Sequence, residues 1–151
     1  MISNYPHLQY ALFQGGQKTL YLFEEARYCF VYGQFIASTL LCVSFIEHTL
    51  ASHFSEIGRY DILKAGVKKL LNAAEKKSII NSIEYDFINK VIKQRNKISH
   101  FRMWQDEKGN PKDTIEREAI EQEKHLYELL EDDAKLAIKA SYSMLKKFSI
   151  K

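Results

Sequence analysis

The chain has 151 residues, 46% of them hydrophobic, with a net charge of +3. That is long enough for one domain with a real hydrophobic core, and too apolar for a disordered chain. Two prolines and six glycines are sparse punctuation, which argues against many short strands and for long helices.

In chain order, a first short helix is expected over about Pro6 to Gln14, stopped by Gly15-Gly16, and a second over about Lys18 to Gly33. A third runs from Phe35 to Ile57 with Gly58 as its stop signal. The apolar part of it, Phe35 to Phe54, carries Ser38, Thr39, Ser44, Glu47, His48 and Ser52. That is too polar for a membrane span and fits a central buried helix. Asp61 is a good N-cap for a fourth helix to about Lys77, with Leu63, Val67, Leu70 and Ala74 on one face. Asn81 followed by Glu84 reads as a capping box opening a fifth. That helix carries Ile83, Phe87, Val91, Ile98 and Phe101 at helical spacing. Asp106 to Pro111 reads as a turn or hairpin tip, and Asp113 with Glu116 as another helix start. A last helix, about Glu123 to Phe148, has Leu126, Leu130, Ala137, Ser141, Met144 and Phe148 on one stripe. No stretch alternates as a half-buried strand would. The expected fold is all-α: one domain over 1–151, an antiparallel bundle of four long helices plus one or two short ones.

Met1 to His7 has neither a basic start nor an apolar run, so no secretory signal is expected and the expected location is the cytoplasm. Cys29 and Cys42 lack CxxC spacing and read as reduced core thiols. His48 and His53 do not form HExxH, and His7 and His125 have no ligand partners nearby in sequence. No metal site and no cofactor are expected, and no glycine-rich phosphate loop is present. The charge is unevenly spread. Arg59 to Arg102 holds eleven basic and four acidic residues, whereas Asp113 to Asp133 holds nine acidic and two basic ones. The first segment would attract a polyanion; the second would suit an acidic docking face.

The run most suggestive of chemistry ends the basic segment: Gln94-Arg95-Asn96-Lys97-Ile98-Ser99-His100-Phe101-Arg102. Arginine holds phosphate through a fixed fork of donors, and histidine is the side chain that exchanges a proton near neutral pH. With Ile98 taken as the centre of the core face, Asn96 and His100 stack four apart on the opposite side and Arg95 lies on the flank. A regular helix does not put Arg95 and His100 on one face. Either the helix ends near His100, or a second copy supplies the complementary groups across a two-fold axis.

Arg95-Asn96-Lys97-Ile98-Ser99-His100 resembles the motif of the HEPN superfamily (higher eukaryotes and prokaryotes nucleotide-binding domains), an arginine, then a polar residue, then a histidine after four to six residues. Phe45-Ile46-Glu47-His48-Thr49-Leu50, an acid within an apolar helix, looks like the early long helix of such proteins. One subgroup has a tyrosine two residues after the histidine, where this chain has Arg102.

The resemblance implies an all-α bundle, a homodimer, and metal-independent endoribonuclease activity of a toxin or antiphage-defence kind, with RNA as the substrate and an antitoxin or regulatory protein as a further partner. Its catalytic residues would be Arg95, Asn96 and His100, with Glu47 and Ser99 in support. Lys93, Lys97 and Arg102 would position the RNA, and Trp104 could stack on a base. The other expectation from the same resemblance is a noncatalytic module that binds RNA or a nucleotide, or that dimerises.

Overall fold

The computed structural model describes residues 15–103 and 105–149; the expected helix over Pro6 to Gln14 lies outside them, as does Trp104. Among the described residues the protein is all-helical, with an isolated bridge between Gln105 and Pro111 and no strand. Four long helices are α1 (Gly16–Val31), α2 (Phe35–Glu56), α4 (Ser82–Ser99) and α6 (Leu126–Lys147); two short ones are α3 (Val67–Lys76) and α5 (Ile115–Glu121). A single 3-10 turn spans Tyr60–Ile62.

The helix ends follow from local chemistry. At the end of α1, Gln34 N–H donates to Cys29 O and Gly33 N–H to Phe30 O, with Gly33 left-handed at φ 74°. This is a Schellman motif, whose left-handed residue glycine adopts without strain. At the start of α4, Asn81 Oδ1 accepts from Glu84 N while Glu84 Oε1 accepts from Asn81 N, the expected capping box. The start of the fourth expected helix differs. Asp61 does not cap it but pairs with Arg59 at 2.9 Å in the 3-10 turn. The helix opens only at Val67, after Gly66 at φ 94°, a backbone angle that forbids an earlier continuous helix. Thr114, one residue after Asp113, caps α5 by accepting from Arg117 N.

Helix α2 is the centre of the molecule. Its buried residues, among them Cys42, Phe45, Ile46, Leu50 and Phe54, meet α1, α3, α4 and α6 in one continuous core. By length and composition α2 would also cross a membrane, at a mean hydropathy of 1.4, but half of that window is buried inside the protein. Ser38 Oγ donates to Ala26 O, pairing α2 antiparallel to α1. Phe35 packs on Tyr127 and His53 on Phe148, so α6 runs in the same direction as α2. The small residues Ala137, Ala140 and Ser141 let the two approach, and Ser141 Oγ reaches Cys42 O. Helix α4 is antiparallel to α6, with Glu84 beside Lys147 and Gln94 beside Asp133. The four long helices therefore alternate in direction, with α2 and α6 as the shared pair.

Candidate functional site

Helix α4 ends where the motif does. Ser99 is its last residue, and His100 has extended backbone (φ −116°, ψ 129°) while its N–H still reaches Asn96 O. The helix thus ends next to His100, the first of the two alternatives for the Arg95–His100 spacing.

The phase of α4 differs from the expectation. Its buried apolar stripe is Ile88, Val91 and Ile92 rather than one centred on Ile98. Ile98 packs instead on a smaller cluster of Ile115, Ala119 and Leu129, and Ile83 and Phe101 are exposed. Seven residues after Ile88 and three after Ile92, Arg95 prolongs the core stripe and is not on the flank. Its Nε is buried, and no hydrogen bond or ion pair to it is present among the described residues. Asn96 is half-buried, while Lys93, Ser99 and His100 are exposed. Leu126, expected in the core stripe of α6, is likewise exposed, because that helix buries Leu129 and Asp133 in its first turns.

His100 lines a cavity of about 390 Å³ between the end of α4, α5 and the first turns of α6. Lys97 and Arg102 line it too; Arg95, Asn96 and Lys93 do not. Arg95 therefore does not line the cavity that His100 lines. Phe101 and Arg102 also border a second cavity of about 510 Å³, with Met103, Lys112 and Asp113.

Two expected supporting roles do not fit this geometry. Lys97 is committed inside the protein: its Nζ lies 3.0 Å from Asp113 Oδ1 and 2.9 Å from Glu118 Oε2, and its side chain is only 13% exposed. Burial pulls its pKa down, but the hydrogen bonds and charges of Glu118 and Asp113 prevail and hold it above the usual lysine value. A cation neutralised by two carboxylates is not free for RNA phosphate. Glu47 sits half-buried on α2. Given where Cys42 meets Ser141 and Gln94 meets Asp133, Glu47 lies roughly 10–20 Å further along the bundle than Arg95. Arg102 is exposed and donates from Nη1 to Asp113 O, which leaves most of its donors open.

No protein-family model, curated protein or solved structure matches this chain. What the site can do therefore rests on its own geometry.

A polar cluster that the motif spacing does not reveal lies beneath the motif. Gln94, buried on α4, donates from Nε2 to Glu118 at 3.0 Å and to Asp133 at 3.0 Å. Asp133 is 6% exposed. Burial pushes its carboxyl up to about 6, against the lowering effect of Gln94 and with the help of the Glu118 charge. The available signal was Asp133 itself, an acid four residues after Leu129 and four before Ala137 on the buried stripe of α6. Much of the acidic segment is thus engaged internally: Asp113 and Glu118 by Lys97, Asp132 by Lys124, Glu121 by Arg117.

Among the described residues no three His, Cys, Asp or Glu side chains form a metal-binding group. His48 and His125 are exposed, and the His53 ring packs edge-on against Phe54 and Phe148. Both cysteines are free; burial pushes the Cys42 thiol up to about 12, which suppresses its reactive thiolate.

Proposed function

We propose that this protein is a HEPN-like, metal-independent endoribonuclease of the toxin or antiphage-defence kind, acting as a homodimer. The observation that carries the reading is the state of Arg95. Its guanidinium is partly buried on the core stripe of α4 without a carboxylate partner among the described residues. A buried guanidinium nitrogen without an acceptor is costly, and a phosphate oxygen is a ligand that would offset the cost. Lys97 two residues later is neutralised twice over, so the missing anion at Arg95 does not reflect a shortage of acids nearby.

In this reading Arg95 binds the scissile phosphate and stabilises the charge that grows on it. His100 takes the proton of the ribose 2′-hydroxyl or gives one to the leaving 5′-oxygen. The products are a cyclic phosphate and a 5′-hydroxyl end. In the same reading Asn96 orients one of these groups, and Arg102 and Lys93 hold the strand.

Arg95 does not line the cavity that His100 lines, and in this reading a second copy supplies the complementary group. Support for such contact comes from exposed aromatic and apolar residues at the same end of the bundle. Tyr28 and Tyr32 stack at 4.6 Å, beside exposed Val31, and Tyr127 lies against Gly33. Patches of this kind mark association surfaces.

The absence of Arg95 from the lining of the His100 cavity also favours a second reading, a noncatalytic HEPN-like module that binds RNA or nucleotide. The deciding experiment is incubation of total RNA with the protein in EDTA, wild type beside Arg95→Ala and His100→Ala. The nuclease reading expects cleavage by wild type and its loss in both variants; no turnover but salt-sensitive RNA binding supports the module.

A further inference from the structure

The cavity beside His100 has two chemically distinct parts. Its walls are aliphatic, from Ile36, Ile98, Ile115, Leu126 and Leu130 on α2, α4, α5 and α6. Its rim is polar and carries both signs of charge: Arg102, with the His100 imidazole beside it, from the segment that follows α4, and Glu116 from α5. Beside it stands Phe101, 94% exposed, an aromatic face held out in water with nothing stacked on it among the described residues. Glu116 makes no hydrogen bond or ion pair among the described residues. That contrasts with Glu118 two residues on, which binds Gln94, Lys97 and Gln122.

We infer that this cavity is a nucleobase pocket that prefers guanine. The inference rests on the nuclease or nucleotide-binding reading of the same site and adds which base is held there. A base presents a flat apolar face, which aliphatic walls and an exposed phenyl ring accept. The attached phosphate is anionic and matches His100 and Arg102 on one side of the rim. A carboxylate such as that of Glu116 offers two acceptor oxygens. Guanine alone among the four RNA bases offers two adjacent donors, N1–H and the 2-amino group, to a two-oxygen acceptor. Adenine and cytosine each offer one amino group beside an acceptor nitrogen, and uracil one imino N–H between two carbonyls. The volume of about 390 Å³ lies within the range of small-ligand pockets.

The test is calorimetric titration of the intact protein with guanosine, adenosine, cytidine and uridine 3′-monophosphates, which needs no turnover. The guanosine nucleotide is expected to bind tightest. Glu116→Gln, which replaces one acceptor oxygen by a donor, is expected to weaken guanosine 3′-monophosphate about tenfold or more. It should leave the uridine nucleotide within about twofold. Leu126→Trp, a substitution at a partly exposed wall position, is expected to abolish binding of all four while the helical signal stays unchanged. Equal affinity for the four nucleotides, or tight binding that survives both substitutions, would overturn the pocket. RNA cleavage with no base preference would overturn it too while leaving the nuclease reading standing. Guanine-selective binding without cleavage would sustain the pocket and remove the nuclease.

Discussion

Gln94 on α4 and Asp133 on α6 meet at 3.0 Å through a side-chain amide and a carboxylate, both inside the protein. The same nitrogen also reaches Glu118, so one neutral donor is shared by two acids. Only Glu118 has a lysine at hydrogen-bond distance; Lys97 acts on Asp133 as a more distant charge.

The consequence is a pH dependence of stability. Burial raises the Asp133 carboxyl from 3.8 to about 6, so between those values the folded protein binds a proton that the unfolded chain does not. Stability from this group is fully present below about pH 4 and is lost as pH rises through 6. Above pH 7 the ionised carboxylate costs about 2–3 kcal/mol. Asp133→Asn keeps an acceptor for Gln94 and removes the charge. Urea unfolding at pH 7.5 should find the variant more stable by about 1–3 kcal/mol, a gain that disappears by pH 4. A variant less stable than wild type at pH 7.5 would mean that the charge itself holds the cluster together.

Lys97 supplies the second prediction. Its ammonium sits between Asp113 and Glu118 and joins the end of α4 to α5. Lys97→Met should destabilise the protein by about 2 kcal/mol, because it leaves Glu118 facing Asp133 without compensation. The salt dependence of RNA binding should not change, since a neutralised lysine releases no counter-ion from the RNA. Lys93→Met and Arg102→Met should do the opposite, sparing stability and each lowering the salt slope by nearly one. Thermal melts and binding titrations at several salt concentrations separate the two cases.

Among the described residues, two helix ends carry a left-handed residue that is not glycine: Ser78 (φ 58°) after α3 and Glu123 (φ 53°) after α5. Each closes a Schellman-type turn, with Ile79 N–H donating to Ala74 O and Lys124 N–H to Ala119 O. An L side chain in this region costs about 1 kcal/mol relative to glycine. Ser78→Gly and Glu123→Gly should therefore each raise stability by about 0.5–1 kcal/mol, additively, as measured by chemical denaturation.

The contrast between α3 and α4 shows which structural features the sequence carries. The capping box of Asn81 and Glu84 is a contact between residues three apart, and it forms as the residue types require. Gly33 and Gly58 end their helices for an equally local reason. Asp61 is also local chemistry, but Arg59 takes its carboxylate at 2.9 Å, a competition that propensity alone does not decide. The phase of α4 depends on what packs against it. Ile98 and Phe101 have the spacing of core residues, yet one joins the cluster with α5 and α6 and the other faces water. The Gln94 cluster joins residues 24 and 39 positions apart, and only the packing of α5 and α6 onto α4 brings them together. Within the motif, the order Arg95 then His100 was legible. The burial of Arg95 and the end of the helix at Ser99 were not, because both depend on the fold around them.

The final prediction concerns where Arg95 and His100 act together. His100 lines the cavity at the end of α4, whereas Arg95 prolongs the buried stripe and does not line it. If two copies build each site, with Arg95 from one and His100 from the other, then Arg95→Ala and His100→Ala dimers are each inactive. A dimer of one copy of each retains one site with both groups intact. Unfolding and refolding the two variants together should restore about a quarter of wild-type RNA cleavage, since half of randomly assorted dimers are mixed and each has one working site of two. Arg95→Lys should not substitute for wild type, because an ammonium cannot hold two phosphate oxygens in a fixed fork. No recovery on mixing, with wild type active, would mean that both groups act within a single chain. The end of α4 would then have to rearrange on RNA binding to bring His100 to Arg95.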